Sequence, residues 1–84
     1  MATINVTAYN DSGYDHTFAF RDGNTLADLG TYPIVDQGTK TLTISANDNS
    51  GQGRLGYRKA DPGANLPGWN TTNWLSDGDY VPVG

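Results

Sequence analysis

Nowhere does this chain offer roughly ten consecutive residues of helical period, whereas alternation of apolar and polar residues recurs throughout. The stretch Thr39–Ala46, "TKTLTISA", is the clearest case. Leu42, Ile44 and Ala46 fall on one face, and Thr41, Thr43 and Ser45 fall on the other. Side chains of a strand point alternately to opposite faces, so this pattern predicts a strand with one buried side. In "TINVTAY" Ile4, Val6 and Ala8 alternate with Thr3, Asn5 and Thr7 in the same way.

Turn signals separate these runs. Asn10-Asp11-Ser12-Gly13 ends the first, since Asx side chains bond their own backbone and glycine accepts positive φ. "YDHTFAFR" follows, with Tyr14, His16, Phe18 and Phe20 expected on one face. "TLADLGTYPIV" carries Gly30 and Pro33, and reads as a short edge strand or a crossing between sheets. After "NDNSGQG", Leu55 and Tyr57 share a face in "RLGYRK". Asp77-Gly78 lies between "TNWLS" and "DYVPV". This dipeptide favours the type I′ turn of a two-residue hairpin, which would set Leu75 against Tyr80 and Trp74 against Val81. The expected fold is all-β: a small antiparallel Greek-key sandwich or barrel of about six to seven short strands.

The chain of 84 residues is read as a single β domain over 1–84. A domain of this size buries about 60% of its unfolded surface, so its core is small. There is no cysteine, which excludes disulfides and thiolate metal sites and leaves the compartment open. No apolar run suits a membrane helix or a signal-peptide core, so the chain is expected to be intracellular or already freed of an export signal. Its composition, like that of secreted lectin-like modules, leans towards the extracellular side.

The formal charge is −4, and the five basic residues are scattered along the sequence. Nucleic acid and anionic membranes are therefore expected to be poor partners. All nine acidic residues are Asp. Aspartate suits turns and oxygen-ligand cation sites more than helices.

Two segments echo one another. "VTAYNDSGYDHTFAFRDG" and "TISANDNSGQGRLGYRKADPG" share a strand, an Asn-Asp loop ending in Ser-Gly, an aromatic-bearing strand, an Arg and a closing turn. Either two copies of one unit are present, or a β protein has reused its usual turn residues.

Catalysis finds little support. The sole histidine, His16, has Asp15 beside it in sequence, but a strand sends that carboxylate to the opposite face. The plainer expectation is a partly buried imidazole packed between Tyr14 and Phe18. Paired carboxylates for sugar hydrolysis need a cleft that so small a core can hardly frame. The chain is read as a non-enzyme.

Calcium takes six to eight oxygens, and two loops carry such atoms. Asn47, Asp48 and Asn49 are in one; Asp77 and Asp79 are in the other. The alternative is that both are ordinary Asx turns.

Both tryptophans lie in "GWNTTNW". An indole packs against the C–H face of a pyranose, while amides, hydroxyls and carboxylates bond its hydroxyls. Trp69, Asn70, Thr71, Asn73 and Trp74 supply these groups, with Asp77, Asp79 and Tyr80 expected back beside them through the hairpin. Trp74, in a strand, is also expected to pack into the core. Trp69, in a loop, is open to either fate.

The expected function is a non-catalytic, lectin-like carbohydrate-binding module, with no cofactor or with calcium. The alternatives are two. The hydroxyl-rich sheet faces and sparsely charged edges suit a self-associating structural protein whose partner is another chain or a second copy. The proline-stiffened loop "ADPGANLPG" suits a small protease inhibitor.

Overall fold

The computed structural model describes residues 2–84. Seven strands form: β1 (Ala2–Tyr9), β2 (His16–Asp22), β3 (Asp28–Ile34), β4 (Thr39–Ala46), β5 (Leu55–Lys59), β6 (Asn70–Thr71) and β7 (Tyr80–Pro82). They make a three-stranded sheet in the order β4-β1-β7 and a four-stranded sheet in the order β3-β2-β5-β6. The chain is thus all-β, a small two-sheet sandwich.

The alternating apolar residues meet between the sheets. Val6, Ala8, Leu42, Ile44 and Val81 face Phe18, Phe20, Ile34 and Leu55, all buried. At about 25 cal/mol per Å² of apolar surface, this interior is the main favourable contribution to folding. β4 returns beside β1, pairing antiparallel from Ala2↔Ala46 to Tyr9↔Thr39. This is the return of a Greek key.

The two echoing segments pair with each other. β1 pairs with β4, and β2 pairs antiparallel with β5, with Phe20 opposite Tyr57. Asn10, Phe20 and Arg21 are followed at one constant offset by Asn47, Tyr57 and Arg58. The pairing is the one that a local two-fold relation between two strand–loop–strand units would give.

Three local expectations are corrected. β2 begins at His16, and Tyr14 is 74% exposed in the preceding loop. One strand pair is parallel: β7 lies along β1 with Thr7 opposite Tyr80 and Ala8 opposite Val81. The predicted hairpin around Asp77-Gly78 is therefore absent, and Trp74 does not face Val81. Asp77 Oδ1 accepts the Asn5 N–H at 2.8 Å, and the Gly78 N–H donates to the Asn5 carbonyl at 2.8 Å. Docked on β1 in this way, the turn carries the chain from one sheet to the other. Of Asp77 and Gly78 only the glycine has positive φ (86°), whereas a type I′ turn needs it at both central residues.

β3 is the edge strand that Gly30 and Pro33 suggested. The loop after β1 is organised by Asn10, fully buried. Its amide donates to the carbonyls of Tyr14 (2.6 Å) and Ile34 (2.9 Å), and its Oδ1 accepts from the Ser12 N–H and hydroxyl.

Candidate functional site

The outer face of the four-stranded sheet follows from strand parity. Phe20 and Tyr57 lie opposite one another on β2 and β5, so Ala19, Arg21, Gly56 and Arg58 occupy the other side. Arg21 stands opposite Gly56, and Arg58 opposite Ala19. Each long side chain thus has a small neighbour on the next strand. A Cβ at Gly56 would meet Arg21 Cγ at 2.8 Å, so this glycine leaves the space through which Arg21 lies over β5.

Beyond β5 is β6, where Thr71 pairs with Gly56 and Asn70 with Tyr57. Trp69, just before β6, meets both arginines. The Arg21 and Arg58 guanidinium carbons lie over its ring at 4.5 and 4.3 Å from the centroid. Arg54 lies over Trp74 at 4.3 Å. An arginine over an indole is attracted by the ring quadrupole, and the stems cover the apolar sheet beneath. Three of the chain's five basic residues and both tryptophans are gathered here. The expectation that the basic residues are too scattered to form a patch is corrected by this convergence.

The predicted site residues divide between two places. Trp69 is half-buried, whereas Asn70, Thr71 and Asn73 are exposed along the β6 edge. Trp74 is 41% exposed and does not pack into the core. The core position in its segment goes to Leu75, whose bridge to Gly53 brings it against the buried cluster. Thr72 holds the segment in place, accepting the Leu55 N–H at 3.1 Å and donating to the Asn73 carbonyl at 2.8 Å.

With the hairpin absent, Tyr80 does not return beside the tryptophans, and Asp77 and Asp79 are docked along β1, through the Asn5 N–H and the Thr7 N–H respectively. Tyr80 belongs to β7 in the other sheet, 67% exposed, with its ring 6.4 Å from that of Tyr9. Val81 points inward, so Tyr80 faces away from the core on the opposite side of the sandwich.

Of the calcium candidates, Asp77 Oδ1 accepts from Asn5 and Asp79 Oδ2 accepts the Ser76 N–H at 2.8 Å. In the other loop the Gly51 N–H donates to the Asn47 carbonyl, and the Asn47 N–H to the Gln52 carbonyl. Gln52 Nε2 meets Ser76 Oγ at 3.3 Å, which links the two loops. Among the described residues, no three acidic or imidazole side chains converge as ligands.

His16 has a carboxylate partner that its sequence neighbours did not reveal. Its Nδ1 lies 2.7 Å from Asp61 Oδ2, and its ring meets Phe18 edge-on with centroids 6.1 Å apart. Tyr14, expected against it, is in solvent. Asp61 Oδ1 accepts the Thr17 N–H at 2.7 Å, and the Ala60 N–H donates to the Thr17 carbonyl. The Thr17 N–H first, and His16 second, hold the Asp61 carboxyl below the usual carboxylate range. This clamp secures the start of the loop that leads to Trp69. An open cleft of about 210 Å³ lies against it, lined in part by Asp15, Pro33 and Val35. Asp15 Oδ1 accepts the Asp36 N–H, so the carboxylates here are engaged in holding backbone. The loop beyond, residues 62–68, is exposed along its whole length.

No protein-family model matches the chain, and no curated protein or solved structure is detectably similar to it.

Proposed function

We propose that this protein is a non-catalytic carbohydrate-binding module whose site is the outer face of the four-stranded sheet. The observation that carries the reading is Trp74, a large ring 41% exposed beside Arg54 and next in sequence to the exposed Asn73. An exposed indole with amide, hydroxyl and guanidinium neighbours offers a sugar ring both a C–H surface and hydroxyl partners. Trp69, with two cations over its ring, acts as the anchor that holds Arg21 and Arg58 in place. Calcium is a separable part of the proposal, resting on the remaining oxygens of Asp77 and Asp79 and on the Asn47–Asn49 loop. A melting curve unmoved by millimolar calcium and by EDTA removes the ion and leaves the sugar site intact.

The test is a glycan array on the wild type, Trp74→Ala and Tyr80→Ala. The reading expects binding by the wild type and by Tyr80→Ala, and its loss in Trp74→Ala. Equal loss in both variants, or no binding at all, contradicts it.

A second reading is favoured by one observation. β4 is an eight-residue edge strand, paired only with β1, with Lys40 as its one charge. Such an edge supports antiparallel pairing with a second copy. Sedimentation across a wide concentration range tests this: a dimer dispersed by Thr41→Pro supports self-association, and a monomer throughout excludes it.

A further inference from the structure

We infer that the saccharide taken by this face is acidic, with its carboxylate met by the arginine cluster; the inference rests on the carbohydrate reading above. The first observation is charge without a partner. Among the described residues the one ion pair is His16–Asp61, so no carboxylate lies within salt-bridge distance of Arg21, Arg54 or Arg58. Asp28 stands opposite Arg21 on β3, but its Oδ1 accepts the Gly30 N–H at 2.9 Å. In a chain of net charge −4 with nine aspartates, three guanidinium groups are nonetheless gathered on two indoles with no carboxylate in salt-bridge contact among the described residues.

The second observation is donor capacity. A guanidinium carries five N–H donors in a fixed fork, and the face of an indole is no substitute for an oxygen acceptor. The Nε atoms of all three arginines are buried without a hydrogen-bond partner among the described residues. Among the described residues the one side-chain hydrogen bond from these three arginines is a long one, Arg58 Nη1 to the Pro67 carbonyl at 3.4 Å. The rings restrain the guanidinium groups and cover their Nε edges, which leaves the paired Nη ends to meet a planar, two-oxygen anion. A carboxylate is the geometric complement of such a fork.

The third observation selects the class of ligand. Single-stranded nucleic acid needs successive aromatic platforms and a basic track. Here Trp69 already carries two guanidinium groups, and of the two indoles Trp74 is the one with the larger free surface. Three cations against nine carboxylates also make a poor track for a long polyanion. One platform beside a fork of donors fits one sugar ring bearing one carboxylate, as in a uronic acid.

The experiment compares three probes on the wild-type protein by calorimetric titration: a short galacturonate oligosaccharide, its full methyl ester, and oligothymidylate. The ester keeps the shape and removes the charge. The acid is expected to bind at least about tenfold more tightly than the ester, as loss of a charge-assisted hydrogen bond implies. In the doubly substituted Arg21→Gln/Arg54→Gln protein, the acid is expected to fall to the level of the ester. Equal affinity for acid and ester, lost in Trp74→Ala, overturns the acidic preference while leaving a neutral sugar site. Absence of binding by both sugars overturns this inference, and the glycan array then decides separately whether the carbohydrate reading beneath it stands. Tighter binding of oligothymidylate overturns it in favour of nucleic acid. The acid–ester comparison uses only the wild type, so a folding defect in the variant cannot decide the outcome.

Discussion

Arg21 reaches Trp69 by lying over Gly56, the residue opposite it on β5, where any side chain would meet its Cγ at 2.8 Å. Gly56 is therefore a spacer for an arginine. Valine is a better strand former than glycine, so local propensity would favour the change. Gly56→Val is expected to drive Arg21 off the Trp69 ring, altering tryptophan fluorescence and weakening binding of an acidic sugar. Crowding and the lost cation–π contact together should cost about 1–2 kcal/mol in denaturant melts. Unchanged fluorescence would show that Arg21 does not depend on this gap.

The tryptophans are expected to differ in stability effect in the reverse of the order their sequence settings suggest. Trp69 is half-buried under two arginines, and Trp69→Ala should cost about 1–3 kcal/mol through lost area and cation–π contact. Trp74→Ala, at an exposed ring, should cost less than about 1 kcal/mol. Phe20→Ala, in the core, is the comparison at about 3–5 kcal/mol. Urea melts of the three variants measure the order, and a Trp74 effect as large as that of Phe20 would contradict the assignment.

The strands were readable because alternation is a local signal. β1 alternates Ile4, Val6 and Ala8, β4 alternates Leu42, Ile44 and Ala46, and each folds with these residues inward. The Asp77-Gly78 turn departs from the hairpin its dipeptide favours because its conformation is decided by Asn5, at the other end of the chain, and not by the dipeptide alone. The Arg–Trp cluster was missed for a related reason. Arg21, Arg58 and Trp69 come together only through the β2–β5–β6 register, which no short window contains. A signal did exist: Ala19 and Gly56, at the same offset as the two arginines, are small residues on the outward side of their strands.

Asn10 should be the costliest polar residue to remove. Asn10→Ala leaves the Ile34 and Tyr14 carbonyls without the amide they accept from, at a buried position. A loss of about 2–3 kcal/mol is expected from such orphaned groups. The counterpart Asn47 is exposed, so Asn47→Ala should change stability by less than about 0.5 kcal/mol. Equal effects at the two positions would contradict the role given to Asn10.

Asp22 predicts the response to acid. Burial pushes its carboxyl up, but the N–H groups of Ser45, Asn24 and Thr25 outweigh burial and hold it below its ordinary value. A depressed carboxylate contributes stability that is complete above its unfolded pKa, about 3.9. That contribution is lost as pH falls through the lower folded value. Asp61 acts with the same sign. Asp22→Asn should destabilise by about 1–2 kcal/mol at pH 7 and flatten the stability profile below about pH 4. A variant that loses stability in acid as steeply as the wild type would show that Asp22 is not the group responsible.

The binding face itself can be watched directly, because the chain holds only two tryptophans. Each gives one indole N–H cross-peak in a nitrogen–proton correlation spectrum. On titration with a galacturonate oligosaccharide, the Trp74 and Trp69 indole peaks and the Nε–H peaks of Arg21, Arg54 and Arg58 are predicted to move together. The amides of Asp79 and Tyr80, on the far side of the sandwich, are predicted to stay in place. Static indole peaks under saturating oligosaccharide, or shifts confined to the β7 side, would contradict the assignment of the arginine–tryptophan face as the site.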